Sequence, residues 1–184
     1  MPPPLDARSP GCFVAIVLYV VTCGLLFRWT GWWISAVLAA PAIVGLGTVL
    51  SRELRGLLLL VAARWKLEAR GVRFVVIYSE SPNWETHIRS IWFPRFGRTA
   101  ALLNWTERAQ WQPTLEVRLF NHFVKSWRNF NPAVIVLRGF RRPLVYRFYY
   151  AFHYAKAGRT DYLNKLEAEL FEHLADSRGI GTTP

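Results

Sequence analysis

Ser79, Glu80, Ser81 and Asn83 put four polar side chains into five positions at the end of the run Val72 to Ser79 (VRFVVIYS) and directly after it. A loop that leaves a strand and opens a helix is where open α/β sheets place ligands. Backbone amides at such a helix start can also receive an anion. The same residues suit a purely structural role, with Ser81 as N-cap and Pro82 in the first turn. Glu85 and His87 bring a carboxylate and an imidazole close in sequence. Two positions apart on a helix, they point in different directions and make a poor acid–base pair. His122, His153 and His173 are each isolated, and no two histidines have the short spacing of a metal site. The chain carries no G-x-S-x-G, H-E-x-x-H or phosphate-loop motif. No catalytic residue, metal ligand or cofactor is therefore expected, and an enzyme built on the Ser79–Asn83 loop stands as an alternative reading.

The two cysteines, Cys12 and Cys23, lie eleven residues apart, roughly 16 Å along a helix. A disulfide spans about 7 Å between Cα atoms at most, so they do not bridge each other. Both fall in an apolar block. Gly11 to Phe27 is seventeen residues without a charge, and Trp32 to Leu50 is nineteen more, with Arg28 the one charge from 11 to 50. Each is long enough to cross a bilayer, for which about 17 residues is the lower limit. The short connection Arg28-Trp29-Thr30-Gly31 predicts an antiparallel transmembrane hairpin, with Trp29, Trp32 and Trp33 among the head groups. Pro41 is tolerable in mid-span. A cleaved signal peptide competes for the first stretch, but MPPPLDARSP balances Asp6 with Arg8 and lacks a basic n-region. A hairpin dipping into one leaflet is a second competitor.

Of the 23 Lys/Arg only Arg8 and Arg28, and of the 12 Asp/Glu only Asp6, precede Ser51, so a net +10 of the total +11 follows the apolar block. Arg52, Arg55, Arg64, Lys66, Arg70 and Arg73 come first. By the positive-inside rule both termini are expected in the cytoplasm, with the chain at the cell membrane. Leu54, Leu57, Leu58, Val61 and Trp65 form one helical stripe within a linker helix expected over 51–69. The stripe faces either the membrane interface or the domain that follows.

Beyond Gly71 the pattern predicts an α/β domain over 70–175, preceded by a tail at 1–10 and the hairpin at 11–50, and followed by a mobile tail at 176–184. Its strands are Val72–Ser79, Thr99–Trp105, Ala133–Leu137 and Leu144–Tyr150, the last running on as far as Tyr154. A helix opens at Ser81 and stops at Pro94, and others cover Thr114–Trp127 and Asp161–Ala175. The five-residue turn Arg138–Arg142 makes the last two strands an antiparallel hairpin.

The order βαβαββα resembles the core of the thioredoxin-like fold. Phe74 to His87 (FVVIYSESPNWETH) is similar to that family's first strand, active-site loop and helix, and Asn131-Pro132-Ala133-Val134-Ile135-Val136-Leu137 to its proline-opened third strand. Where the family has Cys-x-x-Cys, this chain has Ser81-Pro82-Asn83-Trp84. Thiol exchange needs a thiolate, so redox activity does not carry over. The resemblance implies instead a scaffold binding extended segments of a partner near Pro132. Another small three-layer α/β fold is the alternative.

Arg138, Arg141, Arg142 and Arg147 are the strongest charge cluster of the domain. With Arg52, Arg55, Arg64 and Lys66 they are candidates for an anionic surface, or else edge charges that discourage strand addition. Arg138-Gly139-Phe140 is a faint RNA-binding pattern in the wrong topology, so nucleic acid is not expected. The expected partners are the lipid bilayer, a protein, and through the hairpin a second copy of the chain. The function these residues favour is that of a membrane-anchored, redox-inactive interaction or scaffold protein; an anionic-lipid or nucleic-acid binder is the remaining alternative. Topology is directly testable. In a chain with Cys12 and Cys23 replaced, an impermeant thiol reagent added to intact cells should label Thr30→Cys and spare Thr182→Cys. Labelling of Thr182→Cys alone would reverse the orientation.

Overall fold

The computed structural model describes Val21 and residues 31–177 apart from 127; the side chains of 31–39, 42 and 177 also lie outside it. All of the first expected span but Val21, together with Trp127 and most of the expected tail, falls outside the described residues. The chain divides into two compact units, Met1–Gly56 and Leu57–Pro184. Helix α1 (Gly31–Lys66) carries the second apolar stretch and the linker as one element. It ends in a 3-10 turn, Glu68–Arg70, and Gly71 at φ 81°. Among the described residues no helix is long and apolar enough to cross a membrane.

The second unit is mixed α/β with one four-stranded sheet. Its strands are β1 (Phe74–Tyr78), β2 (Ala100–Asn104), β3 (Ala133–Arg138) and β4 (Arg141–Arg147), in the order β2-β1-β3-β4. β1 runs parallel to β2, from Phe74↔Ala100 to Tyr78↔Asn104, and antiparallel to β3, with Ile77 opposite Ala133. β3 and β4 form the expected antiparallel hairpin. Every residue of β1 is buried, with relative exposure from 0% to 8%. A strand lined by apolar residues on both faces needs a helical layer on each. On one face Phe74, Val76, Val134 and Val136 meet Trp92, Phe96, Phe148, Phe152 and Leu170. On the other, Val75, Ile77, Ile135 and Leu137 meet Ala63, Leu67, Leu119, Phe120 and Val124.

Helix α2 follows β1 in three parts, α-helical Glu85–His87, a π turn Ile88–Trp92, and α-helical Phe93–Phe96. Pro94 was expected to stop it. Instead the chain passes through the proline, which lacks an N–H, by shifting to i→i+5 bonding just before it. Trp92 and Phe96 are thereby kept on the buried face, at 0% and 1% exposure. Helix α3 (Leu115–Phe123) is shorter than its pattern and is capped by Thr114, whose Oγ1 accepts from the Val117 N–H at 3.5 Å.

The fourth strand is the main correction. β4 stops at Arg147, and Tyr149–Lys156 is a helix, α4, leading into α5 (Asp161–Ser177). Phe148, Ala151, Phe152 and Ala155 recur at i, i+3, i+4 and i+7, and all four pack on the core. The alternating Tyr146, Phe148, Tyr150, Phe152 and Tyr154 therefore do not share a strand face, and Tyr150 and Tyr154 are exposed. Aromatic β propensity lost to the helical burial period.

The linker stripe also resolves. Leu60, Ala63 and Leu67 bury the opposite face of α1, while Leu54, Leu57, Leu58 and Trp65 remain exposed. The sheet face beneath α3 supplies a stability test. Phe120 is 1% exposed and its ring lies 5.4 Å from Trp105, 5.5 Å from Trp111 and 5.2 Å from Phe130. Phe120→Ala should cost about 3–5 kcal/mol in urea unfolding of the full chain. Leu102→Ala, on the exposed face of β2, should cost less than about 1 kcal/mol. Equal losses would mean that the aromatic cluster is not the core of this layer.

Candidate functional site

Because β1 and β2 run parallel and β3 returns between β1 and β4, the Ser79–Asn83 loop, Asn104 and Asn131–Pro132 all come to one end of the sheet. The loop is held mainly by bonds that its neighbours in space donate. Ser79 Oγ accepts from Trp84 Nε1 at 3.3 Å. The Glu80 N–H donates to Thr106 Oγ1 at 3.0 Å, and Glu80 Oε1 accepts from Asn104 Nδ2 at 3.1 Å with Arg89 Nη2 at 3.5 Å. The Ser81 carbonyl accepts from the Trp84 and Glu85 amides, and its Oγ from the Asn83 N–H at 3.4 Å. Asn83 Oδ1 accepts from Lys156 Nζ at 3.0 Å.

Asn104 organises this end. It is a buried polar residue whose Oδ1 accepts from the Thr106 N–H and whose carbonyl accepts from Trp111 Nε1, both at 3.0 Å. A buried amide so fully bonded rigidifies its surroundings. Across the sheet, the Asn131–Pro132 peptide is cis, Pro132 is buried, and its carbonyl accepts from the Phe148 N–H at 2.8 Å. Asn131 Oδ1 is buried without a hydrogen-bond partner. Beside it Asn129 Nδ2 donates to the hydroxyl of exposed Tyr150 at 3.1 Å.

Sequence spacing missed the most distinctive polar pair. His87 does not face Glu85, which instead accepts from Arg89 Nε at 2.8 Å. His87 Nε2 lies 2.6 Å from Glu167 Oε1, and Trp92 Nε1 donates to the same oxygen at 2.6 Å. An ionised carboxylate only accepts, so Nε2 carries the proton in this contact. Burial disfavours the Glu167 charge, but the hydrogen bonds from His87 and Trp92 outweigh it, helped by the His87 and Arg95 charges, and hold the carboxyl below its ordinary value. Eighty residues separate the partners, so no local pattern could have paired them. His153 stacks on Tyr149 and His173 Nε2 lies 3.1 Å from the Tyr146 hydroxyl. Among the described residues no three His, Cys, Asp or Glu side chains could hold a metal ion.

The arginine candidates separate. Arg138 and Arg141 pair across the β3–β4 turn, and Arg138 donates to the Arg142 carbonyl through Nε at 3.2 Å and Nη2 at 2.8 Å. Arg64 joins them, its guanidinium 5.2 Å from the Phe140 ring centroid. Arg147 pairs with Ala133 at the far end of β4, about 20 Å away along the strand. Arg52 and Arg55 are exposed on α1 before Gly56, and Lys66 is exposed at its end.

The chain thus belongs to the class of mixed α/β proteins with a single four-stranded sheet covered on both faces. No protein-family model, curated protein or solved structure matches it.

The Glu167 clamp has a pH signature. Its carboxyl is lowered from 4.5 in the folded state, so it stabilises the fold at neutral pH. That contribution is lost as pH falls through the folded value. Glu167→Gln should cost about 1–2 kcal/mol at pH 7, and the gap to the parent should close as pH drops below 4.5. A gap unchanged across that range in urea unfolding would mean that the carboxylate's charge plays no part.

Proposed function

We propose that this chain is a membrane-anchored, redox-inactive interaction protein that offers a cytoplasmic thioredoxin-like domain to a protein partner. The anchor rests on the uncharged stretches Gly11 to Phe27 and Trp32 to Leu50 and on the Arg/Lys excess that follows them. The first stretch and much of the second, as to side chains, lie outside the described residues. The thioredoxin-like reading draws on the element order, with α4 as an addition before the last helix. Redox inactivity follows from Ser81-Pro82-Asn83-Trp84 and the lack of any cysteine after Cys23.

The observation that carries partner binding is Asn131 Oδ1, a buried acceptor with nothing to accept. Leaving such a group unpaired costs about 1–3 kcal/mol, and an extended segment toward which this half-buried side chain turns on binding would supply the missing amide donor. The neighbouring surface suits such a segment, with Tyr150 52% exposed and Asn83 on the rim. The enzyme alternative draws on His87 and Glu167. Ser79 Oγ, however, receives Trp84 Nε1, and no described hydrogen bond joins it to an imidazole that would activate it.

A photo-crosslinking residue at Asn83 in the full chain should capture a discrete protein in native membranes, and one at exposed Arg118 should not. Asn131→Ala should reduce that capture severalfold while leaving the unfolding midpoint unchanged or raised. Undiminished capture together with a lowered midpoint would make Asn131 a structural residue and overturn this site.

A further inference from the structure

We propose that the opposite end of the domain, formed by the last turns of α1 and the β3–β4 turn, docks on an anionic lipid leaflet. The proposal rests on the membrane-anchored reading and specifies which surface of the domain meets the bilayer. Leu57, Leu58 and Trp65 are 51%, 60% and 74% exposed, and Phe140 is 60% exposed. A helix ordinarily turns such a stripe toward its own domain. Here α1 already packs on the domain through Leu59 and Ala63, with Leu67 just past its end, so the outward stripe is left for another surface.

Phe140 belongs to that same surface because the turn is tied to α1. The Gly139 N–H donates to Glu68 Oε1 at 2.8 Å, and Arg64 Nη1 donates to Glu68 Oε2 at 3.1 Å. The Arg64 guanidinium then covers the Phe140 ring. Gly139 sits at φ +63°, and a Cβ there would lie 3.3 Å from Arg64 Nη1. A residue with a side chain would be strained in that conformation and would press on Arg64. Arg64 is seven residues from Leu57 and three from Val61, which places it on the flank of the stripe.

Charge complementarity selects the occupant. Arg64, Lys66, Arg138 and Arg141 rim the apolar residues, and the Glu68 carboxylate beside the turn is taken up by Arg64 and the Gly139 amide. Apolar side chains with tryptophan, rimmed by cations, match the boundary between acyl chains and anionic head groups. The same helix also carries the Trp32–Leu50 stretch. The Ser79–Asn83 end of the sheet would then face away from the bilayer.

The test uses the full chain with Cys12 and Cys23 replaced by serine, reconstituted in vesicles with or without phosphatidylglycerol. A fluorophore is placed at Phe140→Cys or, as a control at the opposite end of the sheet, at Glu107→Cys. Quenching by doxyl-labelled lipid should be severalfold greater at position 140 than at 107 on anionic vesicles. It should fall toward the control in molar salt, on neutral lipid, and in the Lys66→Glu/Arg141→Glu variant. Equal quenching at the two positions overturns docking, as does disulfide formation between two unlabelled Phe140→Cys copies where the labelled protein is not quenched, which would assign the surface to self-association. Alkaline carbonate extraction of the same vesicles reads the anchor separately. Resistance without selective quenching leaves the anchor and removes docking, whereas extraction with selective quenching does the reverse.

Discussion

The burial of β1 on both faces is the constraint from which the rest of this domain follows. Five consecutive residues, Phe74 to Tyr78, are withdrawn from water, and a strand of that kind has no stable arrangement without a helical layer above and below. One layer comes from α2, α4 and α5. The other is completed by Ala63 of α1 and Leu67 just past its end together with α3. The helix that carries the second apolar stretch is therefore also part of the domain's core, and its last turns are not a passive tether.

That arrangement gives the sheet two unlike ends. At one, the amide of Asn104 and the turn around Ser81 consume most of the polar groups of the Ser79–Asn83 loop, leaving the Asn131 oxygen unpaired nearby. At the other, the Glu68 carboxylate gathers Arg64 and the Gly139 amide, so that a basic, partly apolar tip is held against α1. The proposed contact with a polypeptide would use directional hydrogen bonding at the first end. The proposed lipid contact would use the second.

Between them the Glu167 carboxylate joins α5 to α2 through His87 and Trp92. Its side chain is only 12% exposed, so losing either donor would leave a charge poorly solvated. The clamp lies beside Trp92, whose ring packs 4.6 Å from Phe148. Polar and apolar contacts thus reinforce one another where the three helices of this layer meet.

Periods of two and 3.6 were enough to locate β1, β2, β3, α3 and α5 in the chain, because each buries a continuous face and local spacing records that face directly. The antiparallel β3–β4 hairpin was likewise implied by the short turn Arg138–Arg142. Aromatic density misled over Tyr149–Lys156, although Phe148, Ala151, Phe152 and Ala155 held the helical spacing throughout. Pro94 misled too, since its missing N–H can be absorbed by a π turn. Within the candidate sites, strand-to-helix punctuation marked the loop but set its helix start too early, since the helix opens at Glu85 with Trp84 rather than Ser81 at its N-cap, and the absence of Cys-x-x-Cys was plain. What tertiary structure alone decided were the pairings across long separations, His87 with Glu167, Asn104 with Glu80 and Arg64 with Phe140. It also decided which face of α1 turns inward. A sequence reports that a helix has an apolar stripe, but the partner of that stripe is set by whichever surface the folded chain brings opposite it. For α1 the face that fits the sheet is Leu59 and Ala63, continued by Leu67 just past its end, and the more conspicuous stripe of Leu57, Leu58 and Trp65 was left outside.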